Sequence, residues 1–236
     1  MGRNNVSNNR QLGFTLIEIL IALSIFAVLL TFLLQFITRT TTTQHLVTER
    51  QNQLIIGQSL LNRLHKELQL VDDNNSRSLM PIPLSGIQNK GRSVYFRGIA
   101  TNLDNGKRGD TVSFLAVDAG QSFPGRRPSQ SIVQITYRVA PDPEHINSFV
   151  LVRDETPFNS DINTAIQDRM TFPIAHNLLS FQMSYLHDDS NSWRQDWGNK
   201  LDERLPHVVS VVFTVAGIDG GPEQTFFSTI TIPVLR

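Results

Sequence analysis

The chain has 236 residues, no cysteine, and 21 basic residues against 21 acidic ones, for a formal net charge of zero. The missing cysteines exclude disulfides and thiolate zinc sites. A neutral chain with no basic run after its first residues also argues against nucleic-acid binding as the main activity.

The chain opens on a short basic leader, in which Arg3, Arg10 and the amino terminus carry charge with no acid to offset them. From Ile19 to Ile37 there follow 19 residues without a formal charge, interrupted only by Ser24, Thr31 and Gln35. As a helix this stretch spans roughly 28 Å, close to a bilayer core of about 30 Å. The positive leader predicts a cytoplasmic start and an exported remainder. An ordinary secretory signal would have a shorter apolar core and a small-x-small site after it, whereas this run ends in Phe36-Ile37-Thr38-Arg39. Glu18 is the residue that a plain anchor would not contain. A carboxylate there costs roughly 2.5–3.5 kcal/mol on insertion scales unless it finds a partner.

The junction Gly13-Phe14-Thr15-Leu16-Ile17-Glu18, followed by the apolar run, resembles the processing site of type IV prepilins and of the pseudopilins of type II secretion. The resemblance covers roughly residues 10 to 40. It implies cleavage by prepilin peptidase after Gly13, an N-methylated Phe14, and a Glu18 that pairs with the amino terminus of a neighbouring subunit during assembly. It divides the chain into a leader at 1–13, a transmembrane and filament-core helix at 14–37, and a periplasmic domain at 38–236 that includes the second half of the helix. Many major pilins close their C-terminal region with a disulfide, and the lack of cysteine departs from that pattern.

Past the membrane run, Leu54, Gly57, Leu61, Leu64 and Leu68 recur at spacings of three and four, while Glu49, Arg50, Arg63, Lys66 and Glu67 mostly fall elsewhere. This predicts one apolar stripe facing a core. Ile55, Ile56 and Leu60 lie partly off the stripe and are candidate contacts for a partner helix. The Thr40–Thr43 run has low helix propensity and softens the helix, and Asp72-Asp73-Asn74-Asn75-Ser76 stops it. A helix from Phe14 to Val71 would be roughly 87 Å long.

Beyond residue 90 the pattern becomes alternating runs between turn residues, predicting strands at 93–99, 111–117, 131–139, 148–153, 178–186, 208–216 and 224–234. Asp104-Asn105-Gly106 and Asp219-Gly220-Gly221-Pro222 are hairpin loops. Leu179, Phe181, Met183 and Tyr185 would share one buried face. Residues 120–129 read as a loop and 161–169 as a short helix. The fold class is α+β, a long N-terminal helix packed on an antiparallel sheet.

Chemistry-bearing motifs are weak. Gly120-Gln121-Ser122-Phe123-Pro124 begins like a nucleophile elbow but ends in Pro. The histidines at 45, 65, 145, 176, 187 and 207 form no His-x-x-x-His or His-Glu-x-x-His pair, so no histidine metal site is expected. Asp188, Asp189 and Asp196 lack the alternation and the Gly of a calcium loop. Arg108-Gly109-Asp110 reads as a turn into a strand. No catalytic residue and no cofactor is expected.

The segment from Phe181 and Tyr185 through Trp193 and Trp197 to Leu205-Pro206 and the Val208–Val215 run resembles the C-terminal part of pseudopilin J of type II secretion, over about 40 residues. What it implies is a minor pseudopilin, not an enzyme, anchored once in the bacterial inner membrane with its domain in the periplasm. Such a subunit forms or caps the short pseudopilus that drives protein export. Its partners would be the minor pseudopilins I and K, with H as a further candidate, and prepilin peptidase. A minor pilin of the PilW kind, serving a type IV pilus or DNA uptake, shares the start and the size and is the rival; a membrane-anchored periplasmic enzyme is the third class.

Overall fold

The computed structural model describes residues 15–72, 96–117, 119, 132–145, 147–158, 169–187, 192–198, 204–217 and 221–233, with the backbone alone between 38 and 49. The chain forms two compact units, Met1–Arg50 and Gln51–Arg236. A single helix, α1 (Leu16–Gln69), contributes to both. Its first part, Leu16–Ile37, is long and apolar enough to cross a membrane, and its side chains are exposed throughout. At 22 residues it reaches about 33 Å, enough for a bilayer core. The Thr40–Thr43 run lies within α1. The helix ends at Gln69, ahead of the predicted stop, because Val71 and Asp72 leave it to pair with the sheet: Val71 bridges Ala116, and the Asp72 N–H donates to the Leu115 carbonyl at 2.9 Å.

Among the described residues the second unit holds, besides the end of α1, one antiparallel sheet of eight strands: β1 (Phe96–Ile99), β2 (Thr111–Val117), β3 (Ile132–Pro141), β4 (Phe149–Pro157), β5 (Met170–His187), β6 (Ser192–Arg194), β7 (Val208–Val215) and β8 (Gln224–Thr231). The order is β1-β2-β3-β4-β5-β7-β8, with β6 paired to β5 off this path. The sheet curls until its first strands meet its middle. Gly109 bridges Phe181 of β5 and Gly98 bridges Trp197, and the buried carboxylate of Asp110 accepts the Met183 N–H at 2.7 Å.

Seven of the strands fall where alternation places them. Two are longer than expected, and the causes are local. β4 continues through Asp154, Glu155 and Thr156, all buried, because each charge has a partner inside the sheet. The Asp154 carboxylate accepts from the Arg138 Nε at 2.7 Å and from the Thr171 hydroxyl at 2.6 Å. β5 begins at Met170, eight residues earlier than the alternation signalled. Pro173 and a register shift near Asn177, which holds a left-handed φ of 59°, break the period. The shift also moves the buried face: Leu178 is fully buried beside Phe181, Met183 and Tyr185, while Leu179 is half-buried. β6 was not anticipated. The predicted loop at 120–129 and almost all of the predicted helix at 161–169 lie outside the described residues.

The core sits between the helix and the concave side of the sheet. Leu60, Leu64 and Leu68 of α1 join Phe114, Ile135, Leu151, Phe181, Phe213 and Ile230 in one cluster. Gly57 lets the helix approach β8: a β-carbon there would lie 2.2 Å from the Phe226 ring. The Asp104-Asn105-Gly106 turn is closed by Leu103 N–H to Lys107 carbonyl at 2.8 Å, with Gly106 at φ 74°.

Candidate functional site

Gly13 and Phe14 lie outside the described residues. The residue that follows them caps the helix. Thr15 precedes α1, its carbonyl accepts from the Glu18 N–H at 3.1 Å, and its hydroxyl oxygen lies 3.4 Å from the same nitrogen. Thr15-Leu16-Ile17-Glu18 thus carries the sequence of a capping box, a Thr at the N-cap and a Glu three residues on. The carboxylate also sits in the first turn, where the helix dipole favours negative charge. From the sequence, Glu18 stands out as a charge in an apolar run and as the partner of a neighbouring subunit's amino terminus. That reading missed that the same four residues are a helix-start signal.

Further along α1, Leu54, Ile55 and Ile56 form an exposed aliphatic group, with Ile55 61% exposed. Leu60 does not belong to it. It is 2% exposed and packs in the core, so it is corrected from a partner contact to a core residue. The buried stripe runs through Gln53, Gly57, Leu60, Leu64, Glu67, Leu68 and Val71, which rotates the core-facing side away from Leu54. The signal that hid this was polarity. Gln53 is buried because its amide donates to the Ala216 carbonyl at 2.9 Å, and Glu67 is buried because the sheet supplies its partners.

Glu67 is the centre of a polar cluster inside the core. The Arg153 Nε donates to its Oε1 at 3.0 Å, and the Tyr137 hydroxyl donates to its Oε2 at 2.6 Å. The Arg153 Nη1 donates to Glu155 at 2.6 Å and Nη2 to the Ala119 carbonyl at 3.1 Å. Tyr137 and Arg153 are directly opposite in the β3–β4 register, which puts both on the helix side. Burial works to lower the Arg153 pKa, but the Glu67 charge and the Glu155 hydrogen bond outweigh it and raise it. Burial, the Glu67 charge and the hydrogen bond to Glu67 push the Tyr137 hydroxyl well up. Arg153, Glu155 and Tyr137 are all fully buried. The arrangement therefore joins helix to sheet and offers a substrate no approach.

A second polar cluster lies at the β3–β4 turn. The Asp142 carboxylate accepts the backbone N–H groups of Glu144 and Asn177, both at 2.9 Å. The Nδ1 atoms of His145 and His176 each lie 3.2 Å from one of its oxygens. Burial acts to raise the Asp142 pKa, but those two backbone hydrogen bonds, with the two imidazoles, hold it far below the usual carboxylate range. Local spacing gave no hint of this grouping, since His145 belongs to a turn and His176 to β5.

The tryptophans differ. Trp197 is buried and donates its indole N–H to the Arg204 carbonyl at 2.9 Å, with Leu205 buried nearby in the same core, whereas Trp193 is 50% exposed. Arg108-Gly109-Asp110 folds inward. Arg108 donates to Asp110 through Nε at 2.8 Å, leaving the acid 1% exposed.

Residues 8–34 match the prokaryotic N-terminal methylation motif. The chain carries a type IV pilin-like signal. Comparison with curated proteins gives no match. The motif covers the end of the basic leader with Arg10, the Gly13-Phe14 junction, Glu18 and most of the exposed apolar segment, and it points to a pilin-like or pseudopilin protein with a structural role. With the apolar helix, it is consistent with a membrane-anchored, single-pass protein.

Proposed function

We propose that the chain is a minor pseudopilin of a type II secretion system, of the J type, that forms or caps a short periplasmic pseudopilus. The observation that carries the reading is the methylation motif at residues 8–34 leading straight into an exposed apolar helix, whose distal half is built into the core of an α+β domain. An exposed apolar helix joined to a folded head suits a subunit that stores its anchor in the membrane and packs it against neighbours in a filament. Cleavage after Gly13 would free Phe14, and Glu18, in the first turn of α1, would meet the new amino terminus of a neighbouring chain. The J assignment is supported by the sequence from Phe181 to Val215 and by its packing, in which Trp197 lies against Tyr185 of β5 and Leu205 is buried in the same core.

The domain is held in the periplasm on this reading, with the leader cytoplasmic before processing. Leu54, Ile55 and Ile56 supply an apolar flank for the helix of another minor pseudopilin, I or K, with H a further candidate. The filament role needs no cofactor. Deletion of the gene with complementation tests the function: loss of exported proteins from the medium, with surface pili intact, is the expected phenotype. Loss of pili with export intact would transfer the chain to the PilW kind, and loss of neither would remove it from both.

A further inference from the structure

We propose that Asp142, His145 and His176 bind a divalent transition cation of the zinc class, with Glu144 as a fourth protein ligand. The three groups each present a ligand atom, and these atoms all lie within 4.8 Å of one another. The two imidazole nitrogens stand 3.2 Å from the Asp142 oxygens, and the Glu144 Oε2 stands 3.8 Å from the His176 Nδ1. Zinc bonds to nitrogen and oxygen are about 2.0–2.2 Å, so adjacent ligands of a tetrahedral ion lie about 3.3–3.5 Å apart. The spacings of 3.2 and 3.8 Å lie on either side of that value, and the 4.8 Å bound on the whole group leaves small side-chain rotations to close it round an ion.

The chemistry of the donors selects the ion. Two imidazole nitrogens and carboxylate oxygens suit zinc, copper or nickel, whereas calcium and magnesium take oxygen ligands. Two neutral imidazoles leave the two carboxylates to balance the charge of a divalent ion. The Asp142 side chain is fully buried and held by two backbone N–H groups, the kind of outer-shell support that fixes a metal ligand in place. His145 is 43% exposed and Glu144 66% exposed on their side chains, which gives the ion a path from solvent.

The position gives the ion a structural effect. His145 and Glu144 belong to the β3–β4 turn, and His176 precedes Asn177, whose carbonyl accepts the Ala216 N–H at 2.8 Å. The Ala216 carbonyl in turn accepts the Gln53 amide of α1 at 2.9 Å. A bound ion would clip the turn to β5 at the place where β5, β7 and the helix are tied together.

The test uses the full-length, untagged chain in detergent, freed of metal with a chelator, and is independent of whether the protein serves secretion or a pilus. Zinc titrated by calorimetry should bind at one equivalent, and cobalt should give the intense visible bands of a tetrahedral N/O site. His145→Ala and His176→Ala should each weaken zinc at least ten-fold while His207→Ala does not, with near-ultraviolet circular dichroism checking the fold of each. The cobalt spectrum reports ligand geometry without any substitution, so it decides the matter even where a variant misfolds. The proposal is overturned by absence of saturable zinc uptake, by an octahedral cobalt spectrum, or by folded histidine variants that bind zinc as tightly as the unsubstituted chain. Any of those outcomes would leave Asp142 as a hydrogen-bonded anchor for the turn only.

Discussion

Arg153 on β4 and Glu67 on α1 meet at 3.0 Å inside the core, the arginine with no exposed surface and the glutamate with almost none. Their pairing fixes the rotation of the helix on the sheet, since only one face of α1 can bring Glu67 to Arg153 while Leu64 and Leu68 fill the core. Removing one partner leaves the other charged and buried, which costs roughly 3–5 kcal/mol, whereas replacing a whole buried ionic group with apolar residues is often neutral. Glu67→Ala should therefore destabilise the protein by about 3–5 kcal/mol in urea unfolding. Glu67→Leu combined with Arg153→Leu and Glu155→Leu should cost much less. A loss of less than about 1 kcal/mol for Glu67→Ala would show that the helix is positioned by apolar packing alone.

Tyr137 makes stability depend on alkaline pH. Its folded pKa is raised, first by burial and then by Glu67, while the unfolded value is about 10. The folded state therefore holds its proton more tightly. The contribution is fully present below about pH 10 and is lost as pH rises from there towards the folded pKa, at up to about 1.4 kcal/mol per pH unit. Tyr137→Phe should flatten this slope between pH 10 and 11. Tyr185, raised mainly by burial, should preserve part of it.

Helix positions 55, 56 and 60 should separate cleanly. Ile55→Asp with Ile56→Asp changes exposed residues and should move stability by no more than about 0.5 kcal/mol, while preventing a complex with a sibling subunit on gel filtration. Leu60→Asp buries a charge in the core and should unfold the domain. A melting temperature that collapses in the Ile55/Ile56 variant would remove that flank as a docking surface.

Intact-mass measurement of the membrane protein should give a mature chain that starts at methylated Phe14. Gly13→Val should accumulate as uncut precursor, because a branched side chain replaces a hydrogen in the peptidase site. A mature start near Thr40 would instead mean ordinary signal cleavage.

Glu18→Ala should be processed normally, since the Thr15 carbonyl cap on the following turn remains. Membrane insertion should become easier by roughly 2.5–3.5 kcal/mol, and crosslinking to neighbouring subunits should weaken. Full crosslinking by this variant would confine Glu18 to the capping box.

The apolar helix, the order of most strands and the α+β class were legible because they rest on periodicity. Every miss involves polar or period-breaking residues. Glu67 and Gln53 look solvent-facing when only hydrophobicity is scored, and their partners, Arg153 and Ala216, are remote in the chain. β4 ran past Arg153 because pairing across the sheet made Asp154 and Glu155 compatible with burial. β5 began before its alternation did, because a bulge at Asn177 resets the face. His145 and His176 converge on Asp142 from a turn and from β5, and no local pattern encodes it. Thr15-x-x-Glu18 was visible and went unread because the membrane signal around it was stronger.

The placement of Phe226 over Gly57 has a consequence for how the chain comes off the ribosome. The helix stripe is made before every strand that covers it and β8 is made after β1 to β7, so the growing chain carries Leu60, Leu64 and Leu68 without their complete lining until Ile230 and Ile232 have emerged. A product ending before β8 would expose the flank of β7, a run of Val208-Val209-Ser210-Val211-Val212 with free backbone groups, and unpaired apolar strands of that kind recruit further chains. Premature termination between β7 and β8 should thus give aggregation rather than a slightly weakened subunit.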